Sequence, residues 1–319
     1  MKIFLYLISF IIVCIAPFLG EIPILLKDIF ESTSTTYTIF WDLRVSRVVL
    51  AFFVGGILAL GGLIFQIIFK NQLITPYTLG IASGTTLFTA ISIVFFPFLH
   101  MSISSIFGSI ITILILYFIS KQINKNSVSV STNSILLIGI ALSYFYSSAL
   151  MLVFYMSNLQ ENYSIVRFTL GSLDTVGFTS TLIIVFVSII FYAVIHFNKE
   201  KIKLLLICND TAFLKGLNVH KTNLILLIVV SLSVGVCISF VGPIGFIGLV
   251  VPHIIKLIYK QSADKLFFPV FFFGGIFLVF SDLISRNLNT DSTLPIGVVT
   301  AFIGAPFFVY LLVRRSRKL

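Results

Sequence analysis

The side chains that could do chemistry are few and lie far apart along the chain. The four histidines are scattered at His100, His196, His220 and His253, with no spacing typical of metal ligands. The three cysteines are Cys14, Cys208 and Cys237. They show neither a disulfide framework nor a metal pattern and are interpreted as small apolar fillers. No G-x-x-x-x-G-K-[ST] phosphate-binding loop is present. The sequence predicts no catalytic residue, no metal site and no cofactor on this chain.

Acidic side chains are missing from the centres of the long apolar segments. Ion-coupled carriers generally place ionisable groups there, where they bind the coupling ion. Asp282 comes nearest, but it lies towards the end of its segment. Arg286 follows it at i+4, which predicts a local ion pair on one helix. If this chain transports a solute uphill, the energy must come from another polypeptide.

Composition places the chain in a membrane. Of its 319 residues 58% are hydrophobic and 10% are charged, and the mean hydropathy is +1.14. A soluble domain carries about 25% charged residues. The apolar runs are longer than the roughly ten alternating residues of a barrel strand, so an all-α, polytopic membrane protein is predicted. We expect one transmembrane domain over residues 1–319.

Ten apolar segments have about the length of a membrane span. They lie near residues 3–25, 47–69, 77–98, 102–120, 132–156, 179–197, 222–240, 243–259, 266–285 and 294–313. With both termini in the cytoplasm, most basic residues fall on the inner side. The exceptions are Lys27, Arg44, Arg47, Arg167 and Arg286. This asymmetry favours ten spans with both ends inside. The net charge of +10 therefore indicates topology and not a nucleic-acid partner.

Helix breakers interrupt the eighth segment, "GPIGFIGLVVPHIIKLI". Gly242 and Pro243 predict a tight outer turn whose freed backbone groups reach the membrane interface. Gly245 and Gly248 are expected to allow close helix packing, and Pro252 is expected to bend or end the helix.

A stripe of small residues follows the second segment. It consists of Gly55, Gly56, Ala59, Gly61 and Gly62. Such stripes let helix backbones approach closely in lipid. Simple helix packing explains the stripe, and rocking of a tightly packed bundle is the functional interpretation.

Four motifs in order resemble one transporter family. They are "LRVSRVVLAFFVGGILALGGLIFQ" (Leu43–Gln66), "NQLITPYTLGIASG" (Asn71–Gly84), "GPIGFIGLVVPHI" and "LPIGVVTAFIGAPFFVYLL" (Leu294–Leu312). The chain resembles the FecCD-type permeases, the ten-helix membrane subunits of type II ABC importers for iron–siderophore complexes, haem or cobalamin. The resemblance covers about Arg44 to Arg315.

The resemblance implies an assembly in the bacterial cytoplasmic membrane. Its partners would be a second permease subunit, homologous or identical, two ATP-binding subunits and an extracytoplasmic substrate-binding protein. ATP and Mg would bind to the partner ATPase. An iron–siderophore complex is the favoured cargo because it is the commonest in the family, and cobalamin or haem are the alternatives.

The family pattern assigns a docking role to three arginines. Arg44, Arg47 and Arg286 match outer positions that receive acidic residues of the binding protein. If the helix begins early, the first two share one face. Snorkelling at the membrane interface is the alternative interpretation.

The inner loop around 205–221 resembles the segment that contacts the ATPase. The matching residues are Asp210, Thr211, Ala212, Gly216, Leu217 and Val219. We expect a short helix that ends at Gly216, or alternatively an ordinary basic connector. Lys215 departs from the family's usual Leu, and Cys208–Asn209 from its usual Gly-Asp pair, which leaves the side-chain detail of the contact open.

Four further residues match the family's cytoplasmic gate. They are Asn71, Leu73, Thr132 and Asn133. Helix-end capping by Asn and Thr is the alternative, and Asp174 is interpreted as a helix cap in an outer re-entrant segment.

Two other classes of function stay open from the sequence. A secondary carrier or channel would transport without any ATPase. A membrane-embedded enzyme would need a converging set of polar residues that the sequence does not show.

Overall fold

A computed structural model describes residues 2–20, 35–123, 132–207, 209–288 and 294–316. All regular structure in these residues is helical, as predicted. The α-helices are α1 (Lys2–Ile15), α2 (Thr35–Thr38), α3 (Ser46–Ile68), α4 (Ile81–Phe95), α5 (Met101–Ile123), α6 (Thr132–Met156), α7 (Leu159–Leu170), α8 (Thr179–Phe197), α9 (Lys199–Ile207), α10 (Asn209–Leu214), α11 (Val219–Val241), α12 (Ile247–Tyr259), α13 (Phe267–Asn287) and α14 (Ile296–Ser316).

Ten apolar helices correspond to the ten predicted spans. Among the described residues, six are long and apolar enough to cross a membrane. Four are shorter: Phe4–Phe18, Ile81–Phe95, Ile247–Tyr259 and Ile296–Tyr310. The predicted bundle of about ten helices is confirmed, although several spans are shorter than the sequence suggested.

Segments predicted as loops also contain helices. Residues 157–178 hold α7, which begins at a capping box where Asn158 and Glu161 each accept a hydrogen bond from the other's backbone N–H. The predicted inner loop, residues 198–221, holds α9 and α10. Helix also precedes the second span, because α2 continues through a π-helical stretch, Ile39–Val45, into α3.

The core of the bundle is built around α3. In the helical run Thr35–Ile68, 83% of the most apolar 18-residue stretch is buried. Four helices pack against α3, namely α8, α11, α12 and α13. The predicted stripe of small residues permits these contacts. A Cβ on Gly55 would lie 2.3 Å from the carbonyl oxygen of Gly274, and one on Gly62 would lie 2.0 Å from that of Gly248. The backbones of α3, α13 and α12 therefore touch directly.

The structure corrects two expectations about the interrupted span and excludes one of the two alternatives for Pro252. Among the described residues of this chain, a Cβ on Gly245 would meet nothing within 4 Å, so this glycine does not mediate packing between these helices. Pro252 does not end the helix, since α12 continues to Tyr259. The turn at Gly242 is buried, and the carbonyl of Val241 accepts a hydrogen bond from the Ser172 N–H. Its backbone groups are thus met by protein groups instead of the membrane interface.

The glycine contacts generate a prediction about stability. Replacing Gly62 with Ala should destabilise the protein by about 1–3 kcal/mol, because the new methyl group collides with backbone, which has little freedom to move. Gly245→Ala is the matched control, and its stability should change by less than about 0.5 kcal/mol. Thermal unfolding in detergent, followed by circular dichroism, measures both. Equal stability of the two variants would contradict the direct backbone contact.

Candidate functional site

An ionic cluster lies at the end of the bundle predicted to face outwards. Arg47 of α3 is at its centre. Its Nε donates to Asp282 Oδ1 of α13 at 2.8 Å, and its Nη1 contacts Asp174 Oδ1 in the connection between α7 and α8. The side chain of Asp282 is fully buried and that of Arg47 is 12% exposed. Arg47 therefore ties two distant parts of the chain together by charge.

Arg286 completes the buried part of this cluster. Its Nε lies 3.0 Å from Asp282 Oδ2, so the local i,i+4 ion pair predicted from the sequence is confirmed. The contact is not aligned as a hydrogen bond. Within the described residues, Arg286 Nε, Arg286 Nη2 and Asp282 Oδ2 are buried without a hydrogen-bond partner. The Asp282 carboxylate thus forms ion pairs with the guanidinium groups of both Arg47 and Arg286.

Arg44 is directed towards a different part of the chain. Its side chain is buried, and Nη1 donates to the carbonyl of Pro17 at 3.3 Å. Arg44 belongs to the π-helical stretch. Because a π-helix has a wider turn, the angle between Arg44 and Arg47 around the helix axis differs from that in a regular α-helix. The two arginines therefore lie on a helix that begins early, as anticipated, but they bind different groups.

Asp174 has a different role from the helix cap that the sequence suggested. The residue that precedes α8 is Phe178, without a side-chain capping hydrogen bond. Asp174 Oδ2 instead accepts from Ser172 Oγ at 2.7 Å and contacts Arg167 Nη2 at 3.4 Å. Asp174 is therefore an ion-pair partner, and this correction adds Arg167 of α7 to the cluster.

The pKa of the Asp174 carboxyl reflects these contacts. Burial acts to raise it, but the charge of Arg47 and the hydrogen bonds from Ser172, Arg47 and Arg167 hold it below the ordinary value of 3.8. A carboxyl whose pKa falls on folding stabilises the fold above its ordinary pKa. That stabilisation is lost as the pH drops through the lower folded-state pKa. At neutral pH Asp174 is therefore a stable anion.

Three chain reversals meet beneath the ionic cluster. The Ser172 N–H donates to Val241 O at 2.9 Å, and the Ile296 N–H donates to Gly171 O at 3.2 Å. These bonds join the end of α7, the end of α11 and the start of α14. The Ile244 N–H donates to the hydroxyl of Tyr77 at 2.8 Å. Sequence reasoning missed this junction, because its partners are far apart in the chain.

A polar network links α3 to α12 inside the bundle. Pro252 has no N–H, so it cannot donate to the carbonyl of Gly248 four residues earlier. Gln66 supplies the missing donor, with Nε2 3.2 Å from Gly248 O. Gln66 Oε1 in turn accepts from Lys256 Nζ at 2.9 Å. The helix break and the amide thus form one unit, which the resemblance alone did not assign.

The predicted gate residues lie at two places near one end of the bundle. Asn71 Oδ1 accepts from the Leu73 N–H at 2.9 Å, which shapes the turn that follows α3. Leu73 is half exposed. Thr132 and Asn133 begin α6, and their side chains lie outside the described residues. This Asn71 bond shapes a turn between helices and does not cap a helix end.

The predicted coupling segment contains helix α10, which ends at Leu214 and is terminated by Gly216. The Leu217 N–H donates to Ala212 O at 3.0 Å and the Gly216 N–H to Phe213 O at 2.9 Å. Together with φ of +79° at Gly216, these bonds form a Schellman motif, which favours glycine at this position. Asn218 then caps α11 by accepting from the Lys221 N–H. The predicted short helix and glycine stop are confirmed.

The side chains of this segment divide into a buried and an exposed set. Ala212 is fully buried, and Leu217 and Val219 pack against the core. The side chains of Asp210 and Thr211 lie outside the described residues, although α10 includes both. The most exposed apolar side chains are Phe213, at 67%, and Leu214, at 83%. The match to the family motif did not single out these two residues. Two apolar side chains in a loop rich in lysine could have indicated a contact surface.

The described residues bring no three His, Cys, Asp or Glu side chains together as a metal site. Arginine side chains, which favour carboxylates, gather in the cluster around Asp174 and Asp282.

Comparisons with known proteins identify relatives along almost the whole chain. The sequence profile of the FecCD transport family matches residues 7–314. The "Probable iron chelatin transport system permease protein" of Helicobacter pylori (strain ATCC 700392 / 26695) is 31% identical over 284 residues, which are 89% of this chain and 85% of that protein. The "Vitamin B12 import system permease protein BtuC" of Vibrio vulnificus is 28% identical over 316 residues, which are 97% and 93% of the two chains.

A solved structure shares the fold. It is described as an inward-facing conformation of a metal-chelate type ABC transporter. The TM-score is 0.87 over 97% of both chains, at 24% sequence identity.

The network of Gln66 predicts an energetic coupling to Pro252. Gln66→Leu should destabilise the protein by about 1–3 kcal/mol, because the Gly248 carbonyl is left buried without a donor. In a Pro252→Ala background the backbone N–H of the new alanine replaces that donor, and the same substitution should cost about 1 kcal/mol less. Unfolding of the four proteins in detergent measures the coupling.

Gln66→Glu is the control for the Lys256 contact. Glu retains an acceptor for Lys256 but removes the amide donor, so it should show the same coupling to Pro252→Ala. If the free-energy changes of the Gln66 and Pro252 substitutions simply add, the alanine N–H does not replace the Gln66 amide as donor to the Gly248 carbonyl.

Proposed function

The chain belongs to the FecCD transport family and is an ABC importer permease, and we propose that its cargo is an iron–siderophore complex. The observation that supports this cargo is the 31% identity to the iron chelatin permease of Helicobacter pylori. The vitamin B12 permease of Vibrio vulnificus, at 28%, makes cobalamin the second candidate. Haem is a third candidate that the family resemblance implies.

In the proposed mechanism the chain provides a pathway and no catalysis. It lies in the bacterial cytoplasmic membrane with both termini inside. ATP and Mg bind to two partner ATPase subunits, and closure of these subunits moves the coupling segment. The bundle then opens alternately to the two sides of the membrane. Asn71, Leu73, Thr132 and Asn133 are proposed to contribute to the gate at the cytoplasmic side.

The pathway would lie between this chain and a second permease subunit. The apolar helix α6 supports this, since only 11% of its most apolar 18-residue stretch is buried within the chain. Its exposed face includes Tyr144, Phe145, Leu152 and Tyr155. A second copy or a homologous chain, together with lipid, would cover that face.

The inner contact is proposed to centre on α10. Phe213 and Leu214 project from a helix whose opposite face holds Ala212 in the core. Apolar side chains at the tip of a short, well-anchored helix suit a groove on a partner protein. Asp210 and Thr211, on the same helix, are proposed to take part in this contact.

The outer contact is proposed to use the arginine cluster. Arg47 and Arg286 already bind carboxylates, which shows the chemistry that the cluster accepts. Arg44 is proposed to support this surface from beside α1. The occupant would be an acidic residue of the substrate-binding protein.

Reconstituted transport tests the function. This chain, its partner ATPase and its binding protein are placed in liposomes with ATP, and uptake of a ⁵⁵Fe-labelled siderophore complex is measured. We expect uptake that depends on both ATP and the binding protein. Unlabelled siderophore complex should compete, whereas cobalamin and haem should not. Uptake of labelled cobalamin without uptake of the siderophore complex would transfer the assignment to vitamin B12, and uptake without the ATPase would indicate a secondary carrier.

Substitution of the two exposed apolar residues tests the coupling contact. Phe213→Ser with Leu214→Ser should lower ATP-dependent uptake about tenfold or more, because hot-spot side chains typically contribute at least about 2 kcal/mol each to an interface. Stability should change little, since both side chains are exposed. Phe98→Ser is the matched control, because Phe98 is 93% exposed in the turn between α4 and α5. Equal uptake by the two variants would contradict the contact.

A further inference from the structure

Arg167 differs from the other arginines of the outer cluster in its exposure. Its side chain is 59% exposed, whereas those of Arg47 and Arg286 are 12% and 9% exposed. Its contact with Asp174 Oδ2 is 3.4 Å long, which exceeds the roughly 2.7–2.9 Å of a well-formed charge-assisted bond. More than half of the Arg167 side chain is therefore accessible to solvent.

Arg167 lines a cavity of about 470 Å³. Its lining includes Tyr163 and Arg167 of α7, Ser172 and Asp174 of the following connection, and Arg47 of α3. Residues 294–296 also line it. Two arginine side chains and the side chains of Tyr163 and Ser172 thus line the cavity, together with apolar residues.

The cavity already holds one carboxylate, that of Asp174. Its oxygens contact Arg47 Nη1, Arg167 Nη2 and Ser172 Oγ. This is the coordination that a carboxylate from another molecule would need. The described ion pairs join three arginines, Arg47, Arg167 and Arg286, to only two aspartates. The cluster can therefore accept one more negative charge.

We propose that Arg167 and Arg47 receive an acidic side chain of the soluble binding protein in this cavity, and that Asp174 occupies its place until the partner docks. The inference rests on the proposed function and moves the point of docking to a residue outside the family-matched set. A planar carboxylate fits the fork of a guanidinium group at two points.

Asp174 is suited to leave, and Asp282 is not. Asp174 is 28% exposed and lies on an irregular connection, so water can solvate it once it is released. Ser172 remains beside it as a hydrogen-bond donor. Asp282 has no exposed surface and holds both Arg47 and Arg286. The exchange therefore replaces one outer carboxylate and leaves the buried pair intact.

Binding measurements with substitutions of opposite sign test the proposal. The permease–ATPase complex is placed in nanodiscs, and the Kd of its soluble substrate-binding protein is determined at several salt concentrations. Arg167→Gln should weaken binding about tenfold, which corresponds to about 1.4 kcal/mol. Arg167→Lys should recover part of this loss. Asp174→Asn should tighten binding severalfold, because it removes the internal competitor.

Two controls separate docking from folding. Gln160→Glu adds a negative charge to an exposed position of the same helix and should bind within about twofold of the unsubstituted protein. Thermal unfolding of each variant should show a folded protein. If Asp174→Asn weakens binding while the protein stays folded, or if Arg167→Gln binds normally, the proposal is overturned.

The uptake assay separates this inference from the proposed function. ATP-dependent uptake by the unsubstituted assembly, together with unchanged binding in Arg167→Gln and Asp174→Asn, would refute only the exchange of carboxylates. Uptake that never depends on the binding protein would refute the proposed function itself.

Discussion

A helix can break inside a membrane only where other protein groups bind the backbone atoms that the break releases. This constraint organises the interior of the bundle. Pro252 releases the Gly248 carbonyl, and Gln66 binds it. The reversal after α11 releases Val241 O and the Ile244 N–H, which Ser172 and Tyr77 bind. Each break therefore needs a hydrogen-bonding group from another part of the chain beside it. These paired groups restrict how the helices pack around α3.

The same requirement applies to charge at the end of the bundle that is predicted to face outwards. Asp282 is fully buried, yet two arginines lie within ion-pair distance of it. Asp174 has a comparable pair of arginine partners but retains access to water. The cluster thus contains a fully buried inner layer and an outer layer that water can reach. In the proposed docking the inner layer keeps the fold, and the outer layer makes the contact with a soluble protein reversible.

Local patterns in the sequence predicted much of this structure. The ten apolar helices, the stripe beside Gly55 and Gly62, the stop at Gly216 and the Asp282–Arg286 pair all follow from rules that operate over a few residues. The pairing of Arg47 with Asp174 could not be predicted, because it depends on how the connection after α7 folds back over α3. Gly245 resembled a packing glycine only because it precedes Gly248 by three residues. Its position before the first turn of α12 removes it from the helix interface.

The burial of Asp282 also bears on how the protein is made. A lone aspartate in an apolar helix opposes insertion into the bilayer. Arg286 lies one turn away on the same helix and pairs with it, so α13 can enter the membrane with its two charges largely compensated. Arg47 is separated from Asp282 by 235 residues and is synthesised long before it. Until the connection that carries Asp174 has been made, the Arg47 side chain must extend to the aqueous interface. Its ion pair with Asp282 can form only after α13 has been synthesised, so this pair joins a late helix to helices that are already inserted.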